Sequence, residues 1–455
     1  METLIILIFV VGYLAIALEH NLKLDKLIPA LAMMAILWAL VSFGIETFPN
    51  WFDSGAHSLI DGFKEFPVEK KHHLLEETLL HHLGKTAEIL FFLLGAMTIV
   101  EMIDYFDGFA TFKGYIKTRS KKKLLWIFAI LAFILSAIID NLTATIVLIS
   151  ILQKIINDKN TRLWFAGLII IAANAGGAFS PIGDVTTTML WIGGKVSAGK
   201  LMEYLFLPSL VCMVVPVFLA SRMKAFQGEI PKVDDNGGAK SKYSSIMLYI
   251  GLGAIVFVPF FKTITHLPPY VGMMLSLSVV GIFAEMYSRS QFSISHVVDH
   301  EGDDSQGHHS PVHASLSKIE MPSVLFFFGI LMAVAALESL GLLFLGAASL
   351  KEIIPNSDIV VMLLGIGSAV VDNVPLVAAS MGMFQESLDN PLWHFVAFSA
   401  GTGGSMLIIG SAAGVVAMGM EKIDFMWYLK KIAWLAAVGF IVGSITFMGM
   451  RAIIG

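Results

Sequence analysis

The chain has one cysteine in 455 residues, Cys212. Without a partner it forms no intrachain disulfide and no cysteine metal site, and its apolar surroundings make it a packing residue. Charge is scarce as well: Asp, Glu, Lys and Arg supply 14% of the sequence against 56% hydrophobic residues, and mean hydropathy is +0.78. A chain this long with so little charge belongs in lipid. The ten-residue alternating strands of an outer-membrane barrel are missing. So are a GxxxxGK[ST] nucleotide loop, an HExxH metal pair and a basic, aromatic-rich nucleic-acid face. ATP-driven pumping, intramembrane metalloproteolysis and nucleic-acid binding therefore have no support. The net charge of −5 says little about partners.

What is present is apolar and of helix length. Hydrocarbon cannot hydrogen-bond a backbone, so each crossing must be a helix of about 20 residues. Ordinary spans are expected near 3–19, 28–46, 86–104, 203–222, 245–262, 268–287, 321–345 and 427–450. The first lacks a basic start and a small-residue cleavage site before Glu19-His20, and is read as a retained span. Four stretches differ. Residues 124–152 and 357–384 are long and carry Asp-Asn in the middle, whereas 163–192 and 392–420 are interrupted by glycine clusters.

Basic residues set the threading, because cytoplasmic loops are enriched in them. Lys113, Lys117, Arg119, Lys121, Lys122 and Lys123 precede segment 124–152, and Lys154, Lys159 and Arg162 follow it. Both flanks are basic, so this segment is expected to be a re-entrant hairpin with Asp140-Asn141 at its tip. The same parity makes 357–384 a second hairpin opening outside. Residues 53–85 carry Lys70-Lys71-His72-His73, Glu76-Glu77 and His81-His82 among leucines at helical spacing, an amphipathic helix at the membrane surface. Residues 288–318 are polar and His-rich. These histidines could sense pH or hold a metal; solvated surface is the simpler reading. The chain thus divides into 1–85, a first repeat at 86–222, a linker with two connecting spans at 223–320, and a second repeat at 321–455.

The repeat is visible in letters. Ser136-Ala-Ile-Ile-Asp140-Asn141 matches Ser368-Ala-Val-Val-Asp372-Asn373, and Gly176-Gly177 and Gly183 match Gly403-Gly404 and Gly410. The fold class is an all-α polytopic membrane protein of two inverted-topology repeats, each with a re-entrant hairpin and a broken transmembrane helix, a plan common among secondary transporters.

A carboxylate at the bilayer centre costs at least about 2.5 kcal/mol on insertion scales, so Asp140, Asp184 and Asp372 need partners or a task. Carboxylate, amide, hydroxyl and free carbonyl oxygens together can replace the water shell of a small hard cation. The first half offers Asp140, Asn141 and Thr143 at the tip and Asn174, Ser180, Asp184, Thr186 and Thr187 at the break. The second offers Asp372, Asn373, Thr402, Ser405 and Ser411. The halves are unequal, since Ser180-Pro-Ile-Gly-Asp184 faces Leu407-Ile-Ile-Gly-Ser411. Ser136 and Ser368 are supporting candidates, as are Glu101 and Glu338, which lie with Glu88 and Asp104 towards span ends as weaker proton-path groups. The bland alternative is that the glycines allow close helix packing and the Asp-Asn pairs bond the hairpin tips.

Together, SAIIDN, NAGGAFSPIGD with its threonines, SAVVDN and the glycine-rich second break resemble the NhaD-type sodium/proton antiporters of the ion transporter superfamily, which also holds arsenite permeases and dicarboxylate transporters. The resemblance spans about residues 86–450. It implies exchange of sodium or lithium for protons at Asp140, Asp184 and Asp372, no cofactor, a homodimer in lipid with scaffold and transport domains, and elevator-like movement in a bacterial cytoplasmic (inner) membrane. Burial disfavours a charged carboxylate, so a proton and a sodium ion can compete for one. An anion permease for a dicarboxylate or arsenite-like substrate is the alternative, and it would want Arg, Lys or open helix N-termini at the tips and breaks.

Overall fold

The computed structural model describes residues 1–17, 22–53, 58–113, 118–231, 243–295, 310–370 and 373–454. Asp372, most of the linker between 232 and 242 and the His-rich segment 296–309 lie outside the described residues. Numbering the helices that matter here in chain order, α1 is Glu2–Ala17, α2 Leu27–Gly44, α3 Val68–Tyr105, α4 Lys121–Ile139, α5 Asn141–Ile155, α6 Lys159–Ala178, α7 Val185–Ile192 and α8 Ala198–Ser221. Then follow α9 Ser244–Thr265, α10 Pro269–Ser295, α11 Pro311–Leu316, α12 Met321–Ser339, α13 Leu342–Ile353, α14 Ser357–Gly367, α15 Asn373–Met383, α16 Pro391–Gly403, α17 Ala412–Glu421, α18 Phe425–Lys431 and α19 Ala433–Ile454. Among the described residues the only sheet is a pair of two-residue strands, and nine helices are long and apolar enough to cross a membrane.

Two expected boundaries move. The amphipathic stretch before residue 85 is helical, but it is the first part of one 38-residue helix that runs on into the expected span at 86–104. No proline interrupts it, and Gly84 sits in its interior with open space around it. At about 57 Å such a helix exceeds the thickness of a hydrocarbon core. The span expected at 321–345 instead stops at Ser339, because Gly341 takes a left-handed φ of 72° and redirects the chain into α13.

The helices form two groups. In one, α1, α2 and α12 share a core around Met33, Leu37, Phe326 and Ile330, and α3, α9 and α10 pack alongside. The other holds both hairpins, both broken helices and the pair α8 and α19. In the first hairpin, α4 runs parallel to α6, with Lys121 Nζ donating to Thr161 Oγ1 at 3.4 Å at one end and Ser136 Oγ donating to the Ala173 carbonyl at 2.5 Å deeper in. Helix α5 comes back packed against both, so both hairpin ends lie beside the start of α6. In the second half Ser368 Oγ donates to the Ala400 carbonyl at 2.8 Å, and Asp358 at the start of α14 forms a two-pronged ion pair with Arg451, both contacts 2.6 Å.

The broken helices run antiparallel. Arg162 at the start of α6 donates through Nε to both Glu421 oxygens at the end of α17, each at 3.0 Å. At the far end, the Asp389 amide before α16 donates to the Lys195 carbonyl after α7 at 3.0 Å, and the Ser197 amide donates to Asp389 Oδ1 at 2.6 Å. The breaks therefore meet midway, and the two hairpins open at opposite ends of this pair.

Glycine makes the crossing possible. A Cβ on Gly176 would lie 2.2 Å from the Phe133 carbonyl oxygen, and one on Gly403 2.0 Å from that of Gly365. Each is the hairpin arm's backbone pressed on the broken helix, so neither can yield cheaply. Gly176→Ala and Gly403→Ala are expected to lose about 3 kcal/mol or more and to lower the melting temperature in detergent. Gly84→Ala, in open helix, should hold or raise it by up to about 1 kcal/mol of stability.

Candidate ion site at the helix crossing

Each chain break leaves one helix C-terminus and one helix N-terminus in the protein interior. The unpaired N–H groups there need acceptors, and the side chains at the breaks supply them. Asp140 caps α5: its Oδ1 accepts from the Thr143 amide at 2.8 Å and its Oδ2 from Thr143 Oγ1 at 2.9 Å. It does so at φ 78°, ψ 160°, a backbone state that a non-glycine residue keeps only at a cost of about 1–3 kcal/mol. Asp184, 2% exposed, caps α7 by accepting from the Thr186 amide at 3.0 Å, and Ser411 caps α17 by accepting from the Gly414 amide at 3.2 Å.

Asp184 and Ser411 are joined into one buried web, while the Asp140 carboxylate bonds Thr143 beside it. Asn141 Nδ2 donates to Asp184 Oδ2 at 2.8 Å and to Asn174 Oδ1 at 3.0 Å. Asn174, wholly buried, turns its own Nδ2 across to the second repeat, donating to Ser405 Oγ at 2.8 Å and Ser411 Oγ at 2.9 Å. From the second hairpin Asn373 Nδ2 reaches Asp184 Oδ2 at 3.3 Å. Asn141, Asn174, Asp184, Asn373, Ser405 and Ser411 thus converge from both hairpins and both breaks. Carboxylates at helix N-termini are also favoured by the helix dipole, which balances part of the cost of burying them.

Other expected residues hold the frame. Ser136 and Ser368 tie each hairpin arm to its broken helix, as described. Thr187 Oγ1 donates to the Asp184 carbonyl at 2.9 Å, and Thr402 Oγ1 turns back to the Phe398 carbonyl at 2.6 Å. The amide of Ile182 donates to Ser180 Oγ at 3.4 Å within the first break. The fully buried Thr186 hydroxyl has no hydrogen-bond partner among the described residues, which leaves an oxygen free to meet an ion. Glu101 sits apart on α3. Glu338, at the end of α12, has an Oε2 that would stand 3.4 Å from a Cβ on Gly382 of α15, so it lies against the second hairpin rather than in the web. Among the described residues no three His, Cys, Asp or Glu side chains gather as a metal cluster, and His72, His73, His81 and His82 all stand on α3.

Two contributors escaped the sequence reading. Tyr428 on α18 donates to the Ser405 carbonyl at 2.8 Å and fixes the second break from below. Nothing near residue 428 marks it, since the contact is made across 23 residues. The Arg162 and Glu421 pair was legible only as two charges near span ends, 259 residues apart.

A multi-pass bundle whose hairpins and interrupted helices bring polar side chains together at one crossing is a membrane transporter, not an enzyme. The model of the citrate transporter family CitMHS matches residues 13–393. Sodium/proton antiporter 1 of Arabidopsis thaliana is 40% identical over 450 residues, covering 98% of this chain and 72% of that protein. The Na(+)/H(+) antiporter NhaD of Vibrio cholerae is 34% identical over 446 residues, covering 93% and 87%. The chain belongs to this citrate transporter family, within the ion transporter superfamily, and to its NhaD-type group. Among solved structures, the Alcanivorax borkumensis YdaH transporter, described as having an unusual topology, aligns with a TM-score of 0.53 at 12% identity, covering 94% of this chain and 97% of that one. That likeness is one of fold.

Asn174 predicts its own test. Removing its amide strands Asn141, Ser405 and Ser411 in the interior, at about 1–3 kcal/mol for each group left unpaired. In melting experiments, Asn174→Ala should destabilise more than Ser411→Ala. The double variant should cost less than the two single losses added, because they share one bond.

Proposed function

We propose that the protein is a secondary antiporter exchanging sodium, and also lithium, for protons. The metal ion and the proton compete for the carboxylates of Asp140, Asp184 and Asp372. The observation that carries this reading is Asp184, a buried carboxylate held by two asparagine amides and a backbone N–H where both hairpins and both breaks meet. Such a carboxylate is neutralised either by a proton or by a metal ion, and the neighbouring Thr186, Asn174, Ser405 and Ser411 oxygens suit a hard cation. The relatives named as sodium/proton antiporters agree with it.

The family description raises the other reading, an anion permease for citrate or a similar acid. Helix N-termini attract anions when they are open, but here those of α5, α7 and α17 are capped by the chain's own Asp140, Asp184 and Ser411. The site is thus already negative, which disfavours a tricarboxylate.

The wider picture follows the same reading. The two halves are inverted repeats across the bilayer, supported by the antiparallel broken helices and the oppositely opening hairpins. The membrane is a bacterial cytoplasmic one, supported by the basic flanks of the first hairpin and the missing barrel pattern. The protein works as a homodimer in pH and sodium homeostasis, and the bundle holding the crossing slides against the group built on α2, α3 and α12.

The test is proton flux in everted membrane vesicles on addition of sodium, lithium, potassium or choline at neutral and alkaline pH. Sodium and lithium should collapse the pH gradient, and Asp140→Asn, Asp184→Asn and Asp372→Asn should each abolish the effect. Full activity in all three variants would overturn the reading, and uptake of labelled citrate or succinate would replace it with the anion permease.

A further inference from the structure

A cavity of about 300 Å³ lies between α3 and α5. Its inner wall is Leu142 and Thr143 at the hairpin tip, and the Thr143 hydroxyl and amide are the partners of the Asp140 carboxylate. From there it follows one face of α5 past Val147 and Ser150 to Lys154, at the hairpin's open end. The mouth is charged: Glu101, Asp104, Asp107 and Glu320 stand against Lys154 and Lys318. Asp104, Lys154, Lys318 and Glu320 are all exposed, so the cavity meets solvent there. The formal balance at the mouth is negative, four carboxylates to two ammonium groups.

Cation–ring contacts cover the opposite end of the crossing. Lys262 of α9 donates to the Trp191 carbonyl at 3.1 Å and lies 4.5 Å over the Trp191 ring. Lys195 lies 4.9 Å over the Trp393 ring, and Phe384 packs edge-on to the same indole at 6.3 Å. Aromatic rings and cations therefore cover that side, while the cavity reaches the hairpin tip from the other.

The geometry points to the cavity between α3 and α5 as the entry vestibule for the transported cation in this conformation, with Glu320 and Lys318 at its mouth setting the sodium concentration at which transport half-saturates. This rests on the antiport reading and adds to it a path and two residues that touch no ion in the web. A cleft lined by excess charge of one sign raises the local concentration of counter-ions. A fixed charge at the rim acts on each entering ion through a partly aqueous medium, and salt screens it over about 10 Å at 0.1 M. Neutralising an acid and neutralising a base should therefore shift half-saturation in opposite directions, whereas damage to the fold would impair both variants alike.

The experiment has two arms. In everted vesicles at low ionic strength and fixed pH, Glu320→Gln should raise the half-saturating sodium concentration about threefold, and Lys318→Gln should lower it by a similar factor. Maximal rates should stay unchanged, and both shifts should collapse when choline chloride is added. Same-direction shifts, or shifts indifferent to ionic strength, would overturn the vestibule. Failure of sodium to move protons in the unaltered protein would instead sink the antiport reading. The second arm needs no transport: Cys212 is 2% exposed, so Ser150→Cys supplies the one accessible thiol. A cationic, membrane-impermeant thiol reagent should modify it from the face carrying Lys154 and Lys318. Modification only from the opposite face, or none, would place no open path here.

Discussion

The amide of Asn174 gives both of its hydrogens to the second repeat, at Ser405 and Ser411, while its oxygen accepts from Asn141 in the first. All of these groups are buried, so losing one partner leaves the others with unmet hydrogen bonds. The rest of the centre is built to let this amide reach its partners. Two chain breaks expose the serines and the aspartate, glycines let the hairpin arms close on the breaks, and Ser136 and Ser368 fix the depth at which they close.

Much of this was legible in the letters, for a physical reason. Burying an Asp-Asn pair, or placing two glycines together in a membrane helix, is costly enough to stand out against a background of Leu, Ile and Ala. The matched SAIIDN and SAVVDN motifs and the seven-residue glycine step therefore marked hairpins and breaks. Asn174, Ser405 and Ser411 followed because polar residues beside those breaks have few other uses. Basic residues on both flanks of 124–152 gave the first hairpin its return, which the closeness of Lys121 to Thr161 matches.

Other features leave no such local trace. The join between the amphipathic stretch and the span at 86–104 turned on the absence of a breaker at Gly84-Lys85, and a lone glycine in a helix reads ambiguously. The end of α12 was set by one left-handed glycine, Gly341, among residues as apolar as those before it. Tyr428, the Arg162 and Glu421 pair and the vestibule all join segments far apart in sequence. Their partners are chosen by packing, which residue type and spacing do not report.

The fastenings of the broken helices constrain what can move. Arg162 and Glu421 bind one pair of ends, and the Lys195 to Asp389 backbone contact binds the other, while Asn174 rivets the middle. A pair of beams pinned at three points cannot shear along its own seam, so the crossing is not opened by the broken helices parting from one another. The proposed sliding would instead run along the boundary facing α3, α9 and α12, which is largely apolar and is crossed by the Lys262 to Trp191 contact. Speed of turnover would then be governed by friction along that greasy seam and by the lipid around it, and only indirectly by the strength of the bonds that hold the ion.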